Sequence, residues 1–150
     1  MNAYFVRRAL GRDMERILEI EALSFGADAY DRKLFAEYLA AETLFLVVER
    51  GGKVRGYLIA GMARGAAGMR AEVVSVAVAP ADRGTGAAQA LMDSMLRRLK
   101  RRSIRRVGLM VKVSNERAKA FYAKYGFRRK RRVAGYYEDA ADGLWMVREG

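Results

Sequence analysis

The chain has 150 residues, 52% of them hydrophobic, and a formal net charge of +12 at pH 7, which predicts one domain over 1–150 and a field that attracts polyanions. No apolar run approaches the ~18 residues needed to cross a bilayer, and Met1 to Arg8 lacks the apolar segment of a signal peptide, so a soluble cytoplasmic protein without membrane contact is expected. Zero cysteines exclude disulfides, thiolate metal sites and an acyl-cysteine intermediate, and zero histidines exclude an imidazole base, a Ser-His-Asp triad and the usual zinc clusters.

In chain order, Tyr4 to Ala9 reads as a short strand. Asp13 caps a first helix to about Leu23, with Met14, Ile17, Leu18 and Leu23 toward the core. Asp31 caps a second helix with Leu34, Phe35, Tyr38 and Leu39 on one stripe. Two apolar runs, Thr43 to Arg50 and Lys53 to Ala63, flank Gly51-Gly52 as a hairpin, and a polar loop follows from Arg64 to Arg70.

The next segment is the most informative. A buried strand from Ala71 to Ala79 runs through Pro80 into Arg83-Gly84-Thr85-Gly86-Ala87-Ala88 and a helix bearing Leu91, Met92, Met95, Leu96 and Leu99 on one face. A strand, a Gly-rich turn and a helix N-terminus leave backbone N–H groups free, and the helix dipole favours an anion there. The spacing fits neither a dinucleotide fingerprint nor a P-loop. Arg106 to Val113 is a further strand, Ser114 a cap, Asn115 to Lys124 a helix ended at Gly126, and Phe127 to Tyr137 with Gly143 to Arg148 a closing hairpin. The order βααβββαβαββ gives an α/β fold with a mixed sheet, in which Glu72 to Val113 is a parallel crossover.

Arg83-x-x-Gly86-x-Ala88 resembles the pyrophosphate-binding signature of the GNAT acetyltransferases. Val107 to Asn115, Ala118 to Phe127 with its Tyr122, and Gly135-Tyr136-Tyr137 resemble later parts of that family's pattern, in the order of its N-terminal amine branch, the RimI and Ard1 type. The resemblance implies two splayed parallel central strands that hold acetyl-CoA as co-substrate, and no metal. It places the pantetheine arm against Val76, Ala77 and Val78, the phosphates on Arg83, Gly84, Thr85, Gly86, Ala87, Ala88 and Gln89, and an amide contact on Asn115, which alternatively is only a helix-start residue.

Tyr122 matches the family's proton donor to the departing thiolate; otherwise it is an aromatic packed with Phe121 and Tyr125. The branch's usual glutamate on the strand before Ser-Asn is here Met110, which cannot take a proton. Glu72 resembles the base of the histone-acetylating members. Strand alternation sets it beside Val74, Val76 and Val78, where desolvation would raise its pKa. The alternatives are a glutamate paired with Arg70, and proton loss through water alone. Acceptor contacts fall on Phe25 to Tyr30 and on Tyr136 and Tyr137, with Glu138, Asp139 and Asp142 as an acidic lure for an ammonium.

The expected reaction is transfer of acetyl from acetyl-CoA to the N-terminal α-amine of a protein or peptide by direct attack in a ternary complex. A small-amine acetyltransferase (polyamine, amino acid or aminoglycoside) and a non-catalytic acyl-CoA or RNA-associated module are the alternatives, with a monomer or homodimer expected. The basic runs Arg97 to Arg106 and Arg128 to Arg132 read as solvated faces, as a ribosome or RNA contact, or as attraction for the anionic co-substrate.

Overall fold

The computed structural model describes residues 3–150; Met1 and Asn2, where the reading of the extreme N-terminus begins, lie outside them. Its elements are β1 (Phe5–Arg8), α1 (Met14–Phe25), α2 (Arg32–Ala40), β2 (Leu44–Arg50), β3 (Lys53–Gly65), β4 (Gly68–Val78), α3 (Ala87–Arg101), β5 (Arg106–Lys112), α4 (Glu116–Lys124), β6 (Arg128–Val133) and β7 (Gly143–Glu149). This is the expected order. The strands form one sheet, β1-β2-β3-β4-β5-β7-β6, antiparallel except where α3 returns the chain to make β5 parallel to β4.

The two faces of the sheet bury different clusters. Leu91, Met92, Met95 and Leu99 recur at helical spacing on α3 and are buried against Leu46, Leu58, Val107, Leu109 and Met146. Each such side chain contributes about 2 kcal/mol on burial. On the opposite face Ile17 and Ile20 of α1 and Phe35 of α2 pack on Phe45, Val47, Tyr57 and Ile59. Among the described residues this second cluster takes nothing from β5, β6 or β7.

The central strands separate, as expected. β4 pairs with β5 only from Arg70 to Val73, opposite Arg106 to Leu109. Beyond that point β4 continues on β3 alone and β5 on β7 alone. The cause is a bulge: Ile59 pairs with Ser75 but Ala60 with Val73, so Val74 is an extra residue that bends and twists β4 away.

The bulge corrects the expected alternation. Ala71 and Val73 face the α3 cluster, Val74 and Ala77 the α1–α2 cluster, and Val76 and Val78 the α3 cluster again. Glu72, set between Ala71 and Val73, therefore shares the α1–α2 face with Val74 and Ala77, not with Val76 and Val78.

Smaller expectations also shift. The polar loop Arg64–Arg70 is mostly strand, turned at Ala66-Ala67, because β3 and β4 pair out to Gly65 and Gly68. Leu23 is exposed, and the buried stripe of α1 is Met14, Ile17, Ile20 and Glu21. Asp13 precedes α1 but its carboxylate turns back to Arg7 and the Leu10 N–H instead of capping. Asp31 does cap α2, accepting from the Leu34 N–H at 3.0 Å. β6 stops at Val133, so Tyr136 and Tyr137 lie in the loop before β7.

Candidate active site

The splay exposes main chain. The Ala79 N–H donates to Arg55 C=O at 2.7 Å, and pairing parity then turns the polar groups of Ala77 toward Tyr57 on β3. Val76 and Val78 point theirs into the gap that β5 has vacated. Of the three residues expected to line the pantetheine arm, Val76 and Val78 offer backbone groups and Ala77 does not. The Val78 carbonyl accepts from Arg83 Nε at 3.2 Å, so the Arg83 side chain folds back on the strand end and toward Ser24.

The loop expected to hold the phosphates follows. Pro80 opens a 3-10 turn, Pro80–Asp82, and Gly84 and Gly86 take φ values of +76° and +103°, left-handed backbone that glycine adopts without strain. Gly86 precedes α3, and the first helical bond is Ala90 N–H to Gly86 C=O at 3.0 Å. The N–H groups of Ala87, Ala88 and Gln89 come before it and carry the positive end of a 15-residue helix. The Thr85 hydroxyl is engaged by the Asp82 carbonyl and, at 2.5 Å, by the Tyr4 hydroxyl.

Two residues that sequence reading passed over support this loop. Asp82 is 1% exposed and accepts from the Tyr4 hydroxyl and Arg50, each at 3.0 Å. Arg117, in the first turn of α4, brings a guanidinium nitrogen within 4.0 Å of where a Gly84 Cβ would sit, adding a cation over the loop. Neither has a local motif, because both act across elements distant in sequence.

Asn115 rather than Ser114 caps α4, its Oδ1 accepting from the Ala118 N–H at 3.1 Å. Its amide NH2 stays available beside the end of β5. Tyr122 is buried against Phe121 and Phe127, at ring separations of 5.5 and 5.7 Å. Burial, and then the neighbouring Tyr137, push its phenol up to about 12. Such a phenol holds its proton at neutral pH and can donate a hydrogen bond to negative charge that develops beside it.

Of the expected acceptor residues, Tyr30, Tyr136 and Tyr137 lie near one another. Phe25, Tyr30 and Tyr136 are exposed aromatics, and the Tyr136 and Tyr137 rings meet edge-on at 5.0 Å. Burial, then Tyr136, Tyr30 and Asp139, push Tyr137 up to about 12. Met110 fills the place of the missing glutamate, its sulfur packed on Gly143 beside Tyr136.

Glu72 is 40% exposed and held by Arg70 at 3.2 Å, not enclosed among valines. The acidic lure is largely spent as well: Asp139 pairs with Lys112 at 2.9 Å and Asp142 with Arg132 and the Gly135 N–H, which leaves Glu138. A carboxylate that is enclosed is Glu21 on α1. It is 2% exposed, accepts from the Tyr57 hydroxyl and from the Tyr30 N–H at 2.9 Å, and is raised above the ordinary glutamate range by burial. Tyr57 in turn meets the Ser75 hydroxyl of β4 at 3.0 Å.

Comparison with known proteins agrees with this geometry. The model of the acetyltransferase (GNAT) family matches residues 12–127. An N-alpha-acetyltransferase of Sulfurisphaera tokodaii is 30% identical over 154 aligned positions, covering 96% of this chain and 92% of that protein. Among solved structures, Ard1 from Thermoplasma volcanium superposes with a TM-score of 0.89 at 27% identity, over 98% of this chain and 97% of that one. The ribosomal-protein-S18-alanine N-acetyltransferase of Escherichia coli shares the fold, with a TM-score of 0.87 at 23% identity over 98% and 94%. With splayed strands, a glycine turn at a helix N-terminus and a family match over more than half its length, the chain belongs to the GNAT acetyltransferases and is an acetyl-CoA-dependent N-acetyltransferase.

Proposed function

We propose that the acceptor is the α-amine at the N-terminus of a protein or peptide. The observation that supports this reading is a mouth where Tyr30 of the α1–α2 connection lies near Tyr136 and Tyr137 of the loop before β7, with Phe25 exposed at the end of α1. Two aromatic walls with phenolic tips suit an extended peptide, whose main chain needs hydrogen-bond partners and whose first side chain needs an apolar pocket. The relatives named as N-alpha-acetyltransferases support the same acceptor.

The co-substrate supplies an acyl thioester, with Val76 and Val78 aligning its arm and Ala87 to Gln89 holding its phosphates. An α-amine, with a reference pKa near ~8, needs only a moderate base to become the free nucleophile. Glu72, on the acceptor face of β4, takes that proton through water. The amine attacks the thioester carbonyl, the C–S bond breaks, Tyr122 passes a proton to the leaving sulfur, and the second proton shed by the nitrogen returns through water to Tyr122.

The test is turnover on a panel of N-terminal peptides against free polyamines, amino acids and aminoglycosides, with the acetylated atom located by mass spectrometry. Acetylated peptide α-amines are expected. Turnover of free amines with peptides at background would overturn the reading. An unaltered pH–rate profile in Glu72→Gln would remove Glu72 as the base and leave the peptide assignment standing.

A further inference from the structure

The α1–α2 face of β5, β7 and β6 carries no helix among the described residues, since the second apolar cluster ends at β4. Trp145, the one tryptophan of the chain, sits in the middle of this open face. Its six-membered ring lies over β5 where only glycine makes room: a Cβ on Gly108 would fall 2.4 Å from it. A cavity of about 230 Å³ opens beside the ring, lined by Arg70, Arg106, Gly108, Lys130, Trp145 and Val147.

The register adds more cations. Arg128 pairs with Val147 and Arg131 with Trp145, so both side chains stand on the same face. A bulge between Arg129 and Arg131 turns Lys130 to that face as well. Two carboxylates are present, Glu72 and Glu149, and each is held by an arginine of the cavity, Arg70 and Arg106. Arg128, Lys130 and Arg131 have no ion-pair partner among the described residues.

This charge is not explained by the co-substrate. Arg70 and Arg106 mark the N-terminal ends of β4 and β5, whereas the phosphate loop follows their other ends. Eight residues of strand at about 3.3 Å each separate Arg70 from Val78, on the order of 26 Å.

We propose that this face binds single-stranded nucleic acid, with a base stacked on Trp145 and phosphates held by Arg128, Lys130 and Arg131. An aromatic platform on an open sheet, ringed by cations, meets both needs of an unpaired strand. Duplex presents no base for stacking, and an acidic peptide would use the cations without the ring.

The lone tryptophan makes the proposal directly readable. The full-length protein is titrated with a labelled 12-nucleotide oligouridine RNA, the matching oligodeoxyuridine DNA, and polyglutamate, following both anisotropy and Trp145 emission. Expected are binding that weakens steeply with salt, quenching of Trp145 by either nucleic acid, and no quenching by polyglutamate. Trp145→Leu should weaken binding about tenfold and Trp145→Phe less, because phenylalanine keeps a stacking face. Lys130→Glu with Arg131→Glu should lower affinity and the salt slope, while kcat for acetyl transfer to a short peptide at about 300 mM salt, where the field is screened, stays unchanged. Binding without quenching, binding insensitive to these variants, no binding at low salt, or equal response to polyglutamate would each overturn the proposal. RNA against DNA then tells whether the 2′-hydroxyl contributes.

Discussion

Tyr122 illustrates what one enclosed side chain does. With its phenol at about 12, it remains a proton donor at every pH where an α-amine is free. The rate should therefore rise as the amine deprotonates and show no falling limb below about pH 10. Tyr122→Phe keeps the ring against Phe121 and Phe127 and removes the proton, so kcat should fall about a hundredfold with the KM for acetyl-CoA little changed. Steady-state release of CoA measures this, and an unchanged kcat would remove Tyr122 as the acid. Glu21 acts differently, through Tyr57 and the Tyr30 N–H. Burial raises its folded-state value above the ordinary 4.5, so the stability linked to its proton is fully present below that pH and is lost as pH rises through the raised value. Glu21→Gln should flatten that part of the urea-measured stability curve. Glu21→Ala should raise the acceptor KM by loosening Tyr30, with the glutamine variant restoring it. Tyr122 was singled out in the sequence by the resemblance, and its packing against Phe121 could be read from the same helix. Glu21 was not: only the fold brings Tyr57, 36 residues away, to its carboxylate.

At the scale of elements, the strand–loop–helix unit was read correctly because everything it needs is contiguous: apolar strand, glycines, amphipathic helix. The bulge at Val74 was invisible, since it is a property of pairing with β3 and no residue type marks it. That one extra residue decides which face Glu72 takes and where β5 departs. The loop makes a sharper test. Nothing lies within 4 Å of a Cβ built on Gly86, so space does not forbid alanine there; the φ of +103° does. Gly86→Ala should cost about 1–2 kcal/mol of stability and re-aim the first N–H groups of α3, weakening CoA binding about tenfold by calorimetry. Loss of stability without loss of affinity would mean that those amides do not hold the phosphates. The entry to α1 depends on a different device. Burial pushes Asp13 upward, but the two-pronged Arg7 contact at 2.8 and 2.9 Å and the Leu10 N–H outweigh it and hold the carboxyl below its ordinary 3.8. Stability from this clamp is present above 3.8 and lost as pH falls through the lowered value. Asp13→Asn should thus cost roughly 2–3 kcal/mol at pH 7, a deficit that shrinks in acid.

Across the whole molecule the +12 charge sets a conflict between the two substrates. A CoA thioester is a polyanion and is drawn in, whereas an ammonium acceptor is repelled by the same field. Composition disclosed the sign of that field but not where its counter-charges lie. Asp139 and Asp142, which looked like an acidic lure, are bound to Lys112 and Arg132, so Glu138 alone stands free of ion pairs among them. The mouth therefore does little to offset the surrounding cations for an incoming peptide. A peptide that brings its own carboxylates, at its third residue or beyond, should be favoured over one with lysines there. The difference should appear in kcat/KM, because it concerns encounter and not the bond-making step. Exposed charges beyond a Debye length of about 10 Å at 0.1 M salt are screened, so the preference should be severalfold at 20 mM salt and nearly gone at about 300 mM. Adding Glu138→Lys should widen the low-salt preference further, since it removes the remaining unpaired carboxylate of the mouth. If acidic and basic peptides turn over equally at low salt, the acceptor does not sense the field, and its approach must be screened by groups other than those on this surface.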